Sequence, residues 1–448
     1  MAKIFPFRAV YYNPQKVDLN KVVTQPYDKI NDKLQDEYHK RNPNNVVRII
    51  KSKDEPGDTS ANNKYTRAAK VFNEFLSKET IIRHTAPALY AYYQTYKDVT
   101  GEWKTRKAFV GLLELEEFGK GKVHAHEKTL PKPKQDRLSL LKAMNGTFLE
   151  QIFMLYSDTD MTINKIMDSV ATKTPPLLEA KDDYGEIHKV WAVTDPKMLR
   201  EIQKTMAKKD TFIADGHHRY ETACNFKNEM KAAGKKCKEP ESYNNFMITF
   251  VNMDDEGLTI FPTHRLIKGL PNFSYDDLTK KLSKNFSIKE YEFKNESGEK
   301  AARTEFLEDL RIEGQGAHCF GLLAQNQNKY ALLTLKDEKI ADAAVKENFS
   351  TDWKRLDVSI LHSVILEPML GLDKTKVESE GFIEYIRYYD EAFSLVKTGK
   401  CQAGFLMNSV KVQQVKKIAS QGERMPQKST DFYPKLLSGL VGSMMEWV

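Results

Sequence analysis

Thr211-Phe212-Ile213-Ala214-Asp215-Gly216-His217-His218-Arg219-Tyr220-Glu221 is the stretch on which the fold turns. Residues 211–214 read as a short apolar strand that stops at Asp215-Gly216, and a helix runs on to about Met230. The junction has chemical meaning. The first turn of a helix offers backbone N–H groups and a partial positive charge, which together favour an anion. Gly216 allows a tight turn or a close backbone approach. Arg219 can grip phosphate with two N–H groups, and His217 or His218 can donate further. Asp215 can bind Mg²⁺ or orient a histidine. The same residues also fit a plain Asp-Gly turn with a histidine pair and an arginine near the surface.

Working outward, residues 188–193 read as a strand and 196–206 as a helix, with Asp195 as N-cap and Pro196 in the first turn. Two more strands are expected at 245–251 and 258–262. Strand–helix–strand–helix order implies an α/β (mixed α+β) chain, with mixed sheets flanked by helices. On the N-terminal side, 64–78 reads as a helix. Residues 88–97 and 108–114 read as a hairpin, with Thr100-Gly101 as the turn signal. On the C-terminal side, 273–284 and 412–420 read as helices, and 318–324 and 329–335 as strands. An apolar helix over 356–370 ends before Gly371, and a strand is expected within 393–407. Residues 51–63, 172–184 and 231–241 read as loops. The expected division is an N-terminal α/β region (1–115), a core with the Asp-Gly-His-His-Arg phrase (116–270) and a C-terminal α/β region completing the site (271–448).

Composition excludes several classes. The chain has 448 residues, 40% hydrophobic and 29% charged, which is ordinary for a globular protein. Its 69 basic and 62 acidic residues leave a net +7, too small an excess over this length to imply nucleic acid. No apolar run approaches the roughly 20 residues of a membrane span, and the first ten residues do not resemble a signal peptide. Cys224, Cys237, Cys319 and Cys401 form no CxxC pair. Four free thiols and a cytoplasmic address are expected. There is no GxSxG, no GxGxxG after a strand, no HExxH and no GxxxxGK[ST].

Two further clusters carry polar chemistry. Val123-His124-Ala125-His126-Glu127-Lys128 would place both histidines on one face of a strand and Glu127 on the other. His126 and Glu127 are candidates for proton transfer or phosphate contact, and the histidine pair is a weak metal signal. Met425-Pro426-Gln427-Lys428-Ser429-Thr430-Asp431-Phe432-Tyr433-Pro434-Lys435 offers phosphate donors in Lys428, Ser429, Thr430 and Lys435 on a backbone stiffened by two prolines. Smaller signals are Tyr27-Asp28 after Pro26, Arg48 in residues 42–48, and His264-Arg265 after Pro262-Thr263. Asp28 suits a general base or a turn cap, and the arginines suit anions or ion pairs equally.

These phrases in this order resemble the domain-of-unknown-function family ten-fifteen. The matching segments are Phe5-Pro6-Phe7-Arg8-Ala9, Pro26-Tyr27-Asp28, residues 42–48, residues 126–130 with Asp136-Arg137, residues 215–223, residues 262–265, Leu356-Asp357-Val358 and residues 425–439. Lys128 stands where the family usually has arginine, and Gln25 where it usually has a second proline. More distantly, Gly216, His218 and Arg219 resemble the Gly-x-His-Arg phosphate motif of the ParB/sulfiredoxin superfamily, with His217 in the variable slot. Its members include partition proteins, sulfiredoxins and free-serine kinases; the last are similar in having an aspartate, here Asp215, before the glycine.

That resemblance implies a ParB/sulfiredoxin-like strand–loop–helix core and a nucleotide-dependent small-molecule kinase. Its substrate would be free L-serine, its donor ATP or ADP with Mg²⁺, and Asp215 a Mg²⁺ contact. Phosphate would lie on Asp215, Gly216, His217, His218 and Arg219, with Arg137, Lys428, Ser429, Thr430 and Lys435 adding charge or donors. Asp28, Glu127 and His218 are the expected catalytic groups, Asp28 on position alone. Tyr27, His126, His264 and Arg265 are expected at the acceptor. A homodimer is expected, with neither membrane nor nucleic acid as partner. Two other readings stay open. One is a nucleotide-binding switch without kinase activity. The other is a metal-dependent phosphoesterase using His124, His126, His217, His218 and Asp215.

Overall fold

The computed structural model describes residues 2–99, 101–127, 131–378 and 381–448. Thr100, Lys128, Thr129 and Leu130, which the sequence reading used, lie outside the described residues. The chain forms two compact units. The first combines Met1–Thr259 with Phe432–Val448, and the second is Ile260–Asp431.

The first unit is built on a nine-stranded mixed sheet. From one edge the order is Val123–His124, Thr211–Asp215, Ile152–Tyr156, Asn245–Asn252, Trp103–Glu114, Leu89–Lys97, Ile187–Val193 and Leu178–Lys181, with Ile4–Phe5 also paired to Trp103–Glu114. Thr211–Asp215 runs parallel to Val123–His124, and Asn245–Asn252 runs parallel to Ile152–Tyr156; the remaining neighbours are antiparallel. Ile152–Tyr156 and Asn245–Asn252 are buried at every position. A strand buried on both faces loses the apolar–polar alternation of a half-exposed one, and each fully buried large apolar side chain adds about 1.5–3 kcal/mol. Phe109 stacks on Phe250 at 4.9 Å and meets Tyr156 edge-on at 5.9 Å across this core.

Local signals explain the elements beside the site. Asp195 caps the helix Pro196–Met206, accepting from Lys197 N at 2.7 Å and Met198 N at 3.0 Å. Asn63 caps Lys64–Ser77 within a capping box. The C-terminal tail returns to the first unit. Ser438 bridges to Thr24, Gly442 to Val10 and Ser443 to Phe148.

The second unit carries a six-stranded antiparallel sheet in the order Phe286–Glu292, Lys329–Leu335, Cys319–Ala324, Ala403–Met407, His264–Ile267, Ile383–Ile386. The helix Glu296–Glu313 covers it through Phe306, which stacks on Tyr330 at 5.4 Å. No described helix is long and apolar enough to cross a membrane. The four cysteines are free thiols.

Several expectations change. Strand Trp103–Glu114 pairs with Asn245–Asn252, so contacts cross the expected boundary at 115/116. The three consecutive regions therefore do not coincide with the two units. The expected loop 172–184 contains the edge strand Leu178–Lys181. The strand holding His124 ends there, so the shared strand face for His124 and His126 does not form. The apolar helix 356–370 is α-helical over Asp357–Ile360, π-helical over Leu361–Leu366 and α-helical again over Glu367–Leu370, capped by Gly371 at φ +66. Pro368 lacks the N–H that would pair with the carbonyl of Val364, which fits a widened turn there. The strand expected within 393–407 is present as Ala403–Met407, after the helix Tyr389–Lys397.

Candidate functional site

Strand Thr211–Asp215 enters the turn at Gly216, which adopts φ +93, ψ +28, and the 16-residue helix His217–Ala232 follows. No side chain caps this helix, and its own ladder begins with Tyr220 N donating to Gly216 O at 2.9 Å. The left-handed glycine brings the backbone over Arg219: a Cβ on Gly216 would lie 3.0 Å from Arg219 Nε.

Arg219 is 4% exposed and donates to Asp215 Oδ2 and to the carbonyl of Gln151. Lys435 Nζ, from the returning tail, lies 3.6 Å from Asp215 Oδ1. Burial alone would raise the Asp215 pKa. Lys435, then Arg219, Lys29 and His217 outweigh it, and hold the carboxyl far below the usual carboxylate range. Burial would likewise lower the Arg219 pKa, but Asp215, Glu150, Asp28 and Tyr27 raise it.

The histidines divide. His217 is buried, its Nε2 accepting from His126 N at 3.3 Å and its Nδ1 3.7 Å from Glu127 Oε2. The His126 and His217 rings meet edge-on at 4.7 Å, and His126 also packs against Phe432. His218 is half-buried, and burial depresses its pKa, with Lys134 and Arg219 lowering and Glu221 and Asp28 raising it. Lys134 Nζ is 2.8 Å from Glu221 Oε2. His124 stands apart, stacked on Phe212 at 4.9 Å with its Nε2 3.3 Å from Asp210 Oδ1. Among the described residues, the phosphoesterase set does not converge as metal ligands. The set that does is Asp182, Glu186 and His188.

A second cluster adjoins the helix start. Arg137 donates to Glu150 Oε2 at 2.9 Å and to Ile50 O at 2.7 Å, with its guanidinium 4.0 Å from the centre of the Tyr27 ring. Tyr27 N donates to Glu150 Oε1 at 3.3 Å, and burial pushes the Tyr27 phenol up to about 12. Asp28 is exposed in the single turn Tyr27–Lys29. Its charge is felt by Arg219, His218 and Lys51.

The structure thus gathers Asp215, Gly216, His217, His218, Arg219, His126, Glu127 and Lys435, with Tyr27, Asp28 and Arg137 beside them. His264, Arg265, Lys428, Ser429 and Thr430 belong to the second unit. There Arg265 Nη2 donates to Lys428 O at 2.9 Å, and Ser429 Oγ donates to Pro426 O at 2.5 Å. His264 stacks on Tyr389 at 4.6 Å and accepts from Met407 N at 3.1 Å. Sequence reasoning missed Glu150, Gln151, Lys29 and Lys51. The only signal was the polar pair Glu150-Gln151 directly before the apolar strand Ile152–Tyr156.

The chain matches the family described as "Protein of unknown function (DUF1015)" over residues 4–359, and it belongs to that family. No curated protein matches it. Among solved structures it is similar to a mutant free serine kinase in complex with AMP, with 12% identity, a TM-score of 0.32, and coverage of 69% of this chain and 84% of the other. The non-mutant free serine kinase in complex with AMP gives 13%, 0.32, 69% and 83%. A conserved hypothetical protein from Pyrococcus furiosus gives 13%, 0.31, 73% and 91%.

Proposed function

We propose that this DUF1015-family chain is a nucleotide-dependent phosphotransferase whose acceptor is a small hydroxyl compound, with free L-serine the first candidate. The observation that carries the reading is the helix start at Gly216. A left-handed glycine, a guanidinium fixed by Asp215 and Gln151, and the Lys435 ammonium converge there. Such a group favours a phosphate, and phosphoryl transfer relies mainly on positioning and charge neutralisation.

In this reading the phosphates of ATP or ADP lie against the first turn of helix His217–Ala232 and Arg219. Mg²⁺ carried with the nucleotide would supply further charge neutralisation. Asp215 faces two cations, so a direct Mg²⁺ contact would require Lys435 to turn toward the nucleotide. The acceptor oxygen attacks the terminal phosphorus while Asp28 or Glu127 takes its proton. The bond from phosphorus to the bridging oxygen breaks, and the nucleotide leaves with the electron pair. His217, whose Nε2 accepts from the His126 backbone N–H, holds its Nδ1 3.7 Å from Glu127 Oε2.

The test is nucleotide consumption with Mg²⁺, ATP and ADP offered separately against L-serine and other small alcohols, with products identified by phosphorus NMR. Arg219→Ala and Arg219→Lys should lose about 100-fold or more in turnover, as removal of a charge-stabilising donor does elsewhere. Far-UV circular dichroism and melting check that each variant is folded. Wild-type turnover in a folded Arg219→Ala protein sinks the assignment.

A further inference from the structure

A second polar centre lies in the first unit, within the turn between strands Leu178–Lys181 and Ile187–Val193. Asp182, Glu186 and His188 each place a ligand atom within 4.8 Å of the other two. Their burial is unusual for such groups: His188 is 0% and Glu186 4% exposed, and the Asp182 side chain is 3% exposed. Glu186 immediately precedes strand Ile187–Val193 and His188 is its second residue, and ligand atoms of the two lie within 4.8 Å of each other. Asp182 reaches them from the turn. Its Oδ1 accepts from Tyr184 N at 2.9 Å and Glu186 N at 3.0 Å, which leaves Oδ2 facing His188 Nε2 at 3.5 Å.

One buried atom of this centre, Glu186 Oε1, has no hydrogen-bond partner, and His188 Nε2 has only the 3.5 Å approach of Asp182 Oδ2. A buried carboxylate oxygen without a partner costs free energy, and a divalent cation between Glu186 Oε1, Asp182 Oδ2 and His188 Nε2 would remove that cost. The far side of the imidazole is already arranged for this. Tyr92 Oη lies 2.8 Å and Gln94 Nε2 3.4 Å from His188 Nδ1; the shorter contact to Tyr92 can take the Nδ1–H and leave the Nε2 lone pair inward, as metal-ligating histidines require. The neighbouring cation, Arg106, is 0% exposed and donates to Gln94 Oε1 and to Pro434 O.

We propose that Asp182, Glu186 and His188 form a binding site for a divalent first-row transition-metal ion, distinct from any Mg²⁺ carried by a nucleotide. One imidazole nitrogen with two carboxylates is a donor set that suits Zn²⁺ or Mn²⁺. Gln25, whose amide lies 3.1 Å from Asp182 Oδ2, is placed to offer its carbonyl oxygen as a further ligand after an amide flip. The ion would then fasten the segment that leads, three residues later, to Asp28.

The test uses full-length, tag-free protein stripped with EDTA and kept without nucleotide. Zn²⁺, Mn²⁺ and Mg²⁺ are titrated separately by calorimetry, and bound metal is counted by mass spectrometry after gel filtration. The expected result is one equivalent of Zn²⁺ or Mn²⁺ and a higher melting temperature. Glu186→Gln and His188→Gln should each lose the equivalent. Should His188→Gln fail to fold, the nearly isosteric Glu186→Gln decides. Absence of a stoichiometric equivalent, uptake of Mg²⁺ only, or full binding in a folded Glu186→Gln protein overturns the proposal.

Discussion

Replacing Gly216 with alanine tests the geometry at the helix start most directly. At φ +93 an L-residue sits in the left-handed region, which costs about 1–2 kcal/mol. The new methyl would also lie 3.0 Å from Arg219 Nε and 3.2 Å from Cζ and Nη2. The guanidinium cannot swing into solvent, because it is 4% exposed and held by Asp215 and Gln151. It must move by a few tenths of an ångström against those bonds, at an off-rotamer cost of about 0.5–1.5 kcal/mol. Together the loss should be about 1.5–3.5 kcal/mol, the sum of those two terms. Trp353 is the only tryptophan of the second unit, so a Trp353→Phe background confines tryptophan fluorescence to the first. Urea unfolding in that background should show the loss. In a cycle with Arg219→Ala the crowding part should vanish, leaving a coupling of about 1 kcal/mol. A Gly216→Ala protein within about 0.5 kcal/mol of wild type, the ordinary range of a surface substitution, would refute the reasoning.

Lys435→Ala should weaken ATP or ADP binding about tenfold, equal to about 1.4 kcal/mol, and should also lower the melting temperature because Asp215 loses one of its two close cations; calorimetric titration reads the first and a thermal melt the second. Burial lowers the His264 and His362 pKa values to about 3, with Arg265 adding to the shift. Between about pH 6.5 and 3 the unfolded chain therefore binds more protons than the folded one, so stability should fall with falling pH across that window. His362→Asn should reduce the slope by up to one proton, measured by urea unfolding from pH 7 to pH 4. Asp195→Ala removes two hydrogen bonds to the start of helix Pro196–Met206 and should cost about 1 kcal/mol in the same unfolding assay.

What could be read early was local. Asp195-Pro196 announced a helix start, Gly371 a helix end, and the apolar run 211–214 before Asp215-Gly216 a strand turning into a helix. Each of these signals acts within a few residues, and the structure carries all three. The errors arose where burial overrode local composition. Residues 172–184 contain two prolines and several charges and read as a solvated loop. Yet residues 178–181 pair with Ile187–Val193, and Asp182 is buried behind them. His124 and His126 read as one strand face, but pairing with Thr211 and Phe212 stops at His124.

The sequence by itself determined the α/β class and the position of the strand-to-helix turn, with Asp215, Gly216 and Arg219 within it. These follow from periodicity and turn chemistry, which depend on neighbours in the chain. Only the tertiary structure decided that Lys435, 220 positions downstream of Asp215, supplies its second cation. It also decided that Glu150 balances Arg137, that His264 and Arg265 belong to the other unit, and that Asp182, Glu186 and His188 converge. Charges and imidazoles carry no period of their own. Their partners are set by where the apolar strands pack, and that packing is a property of the whole chain.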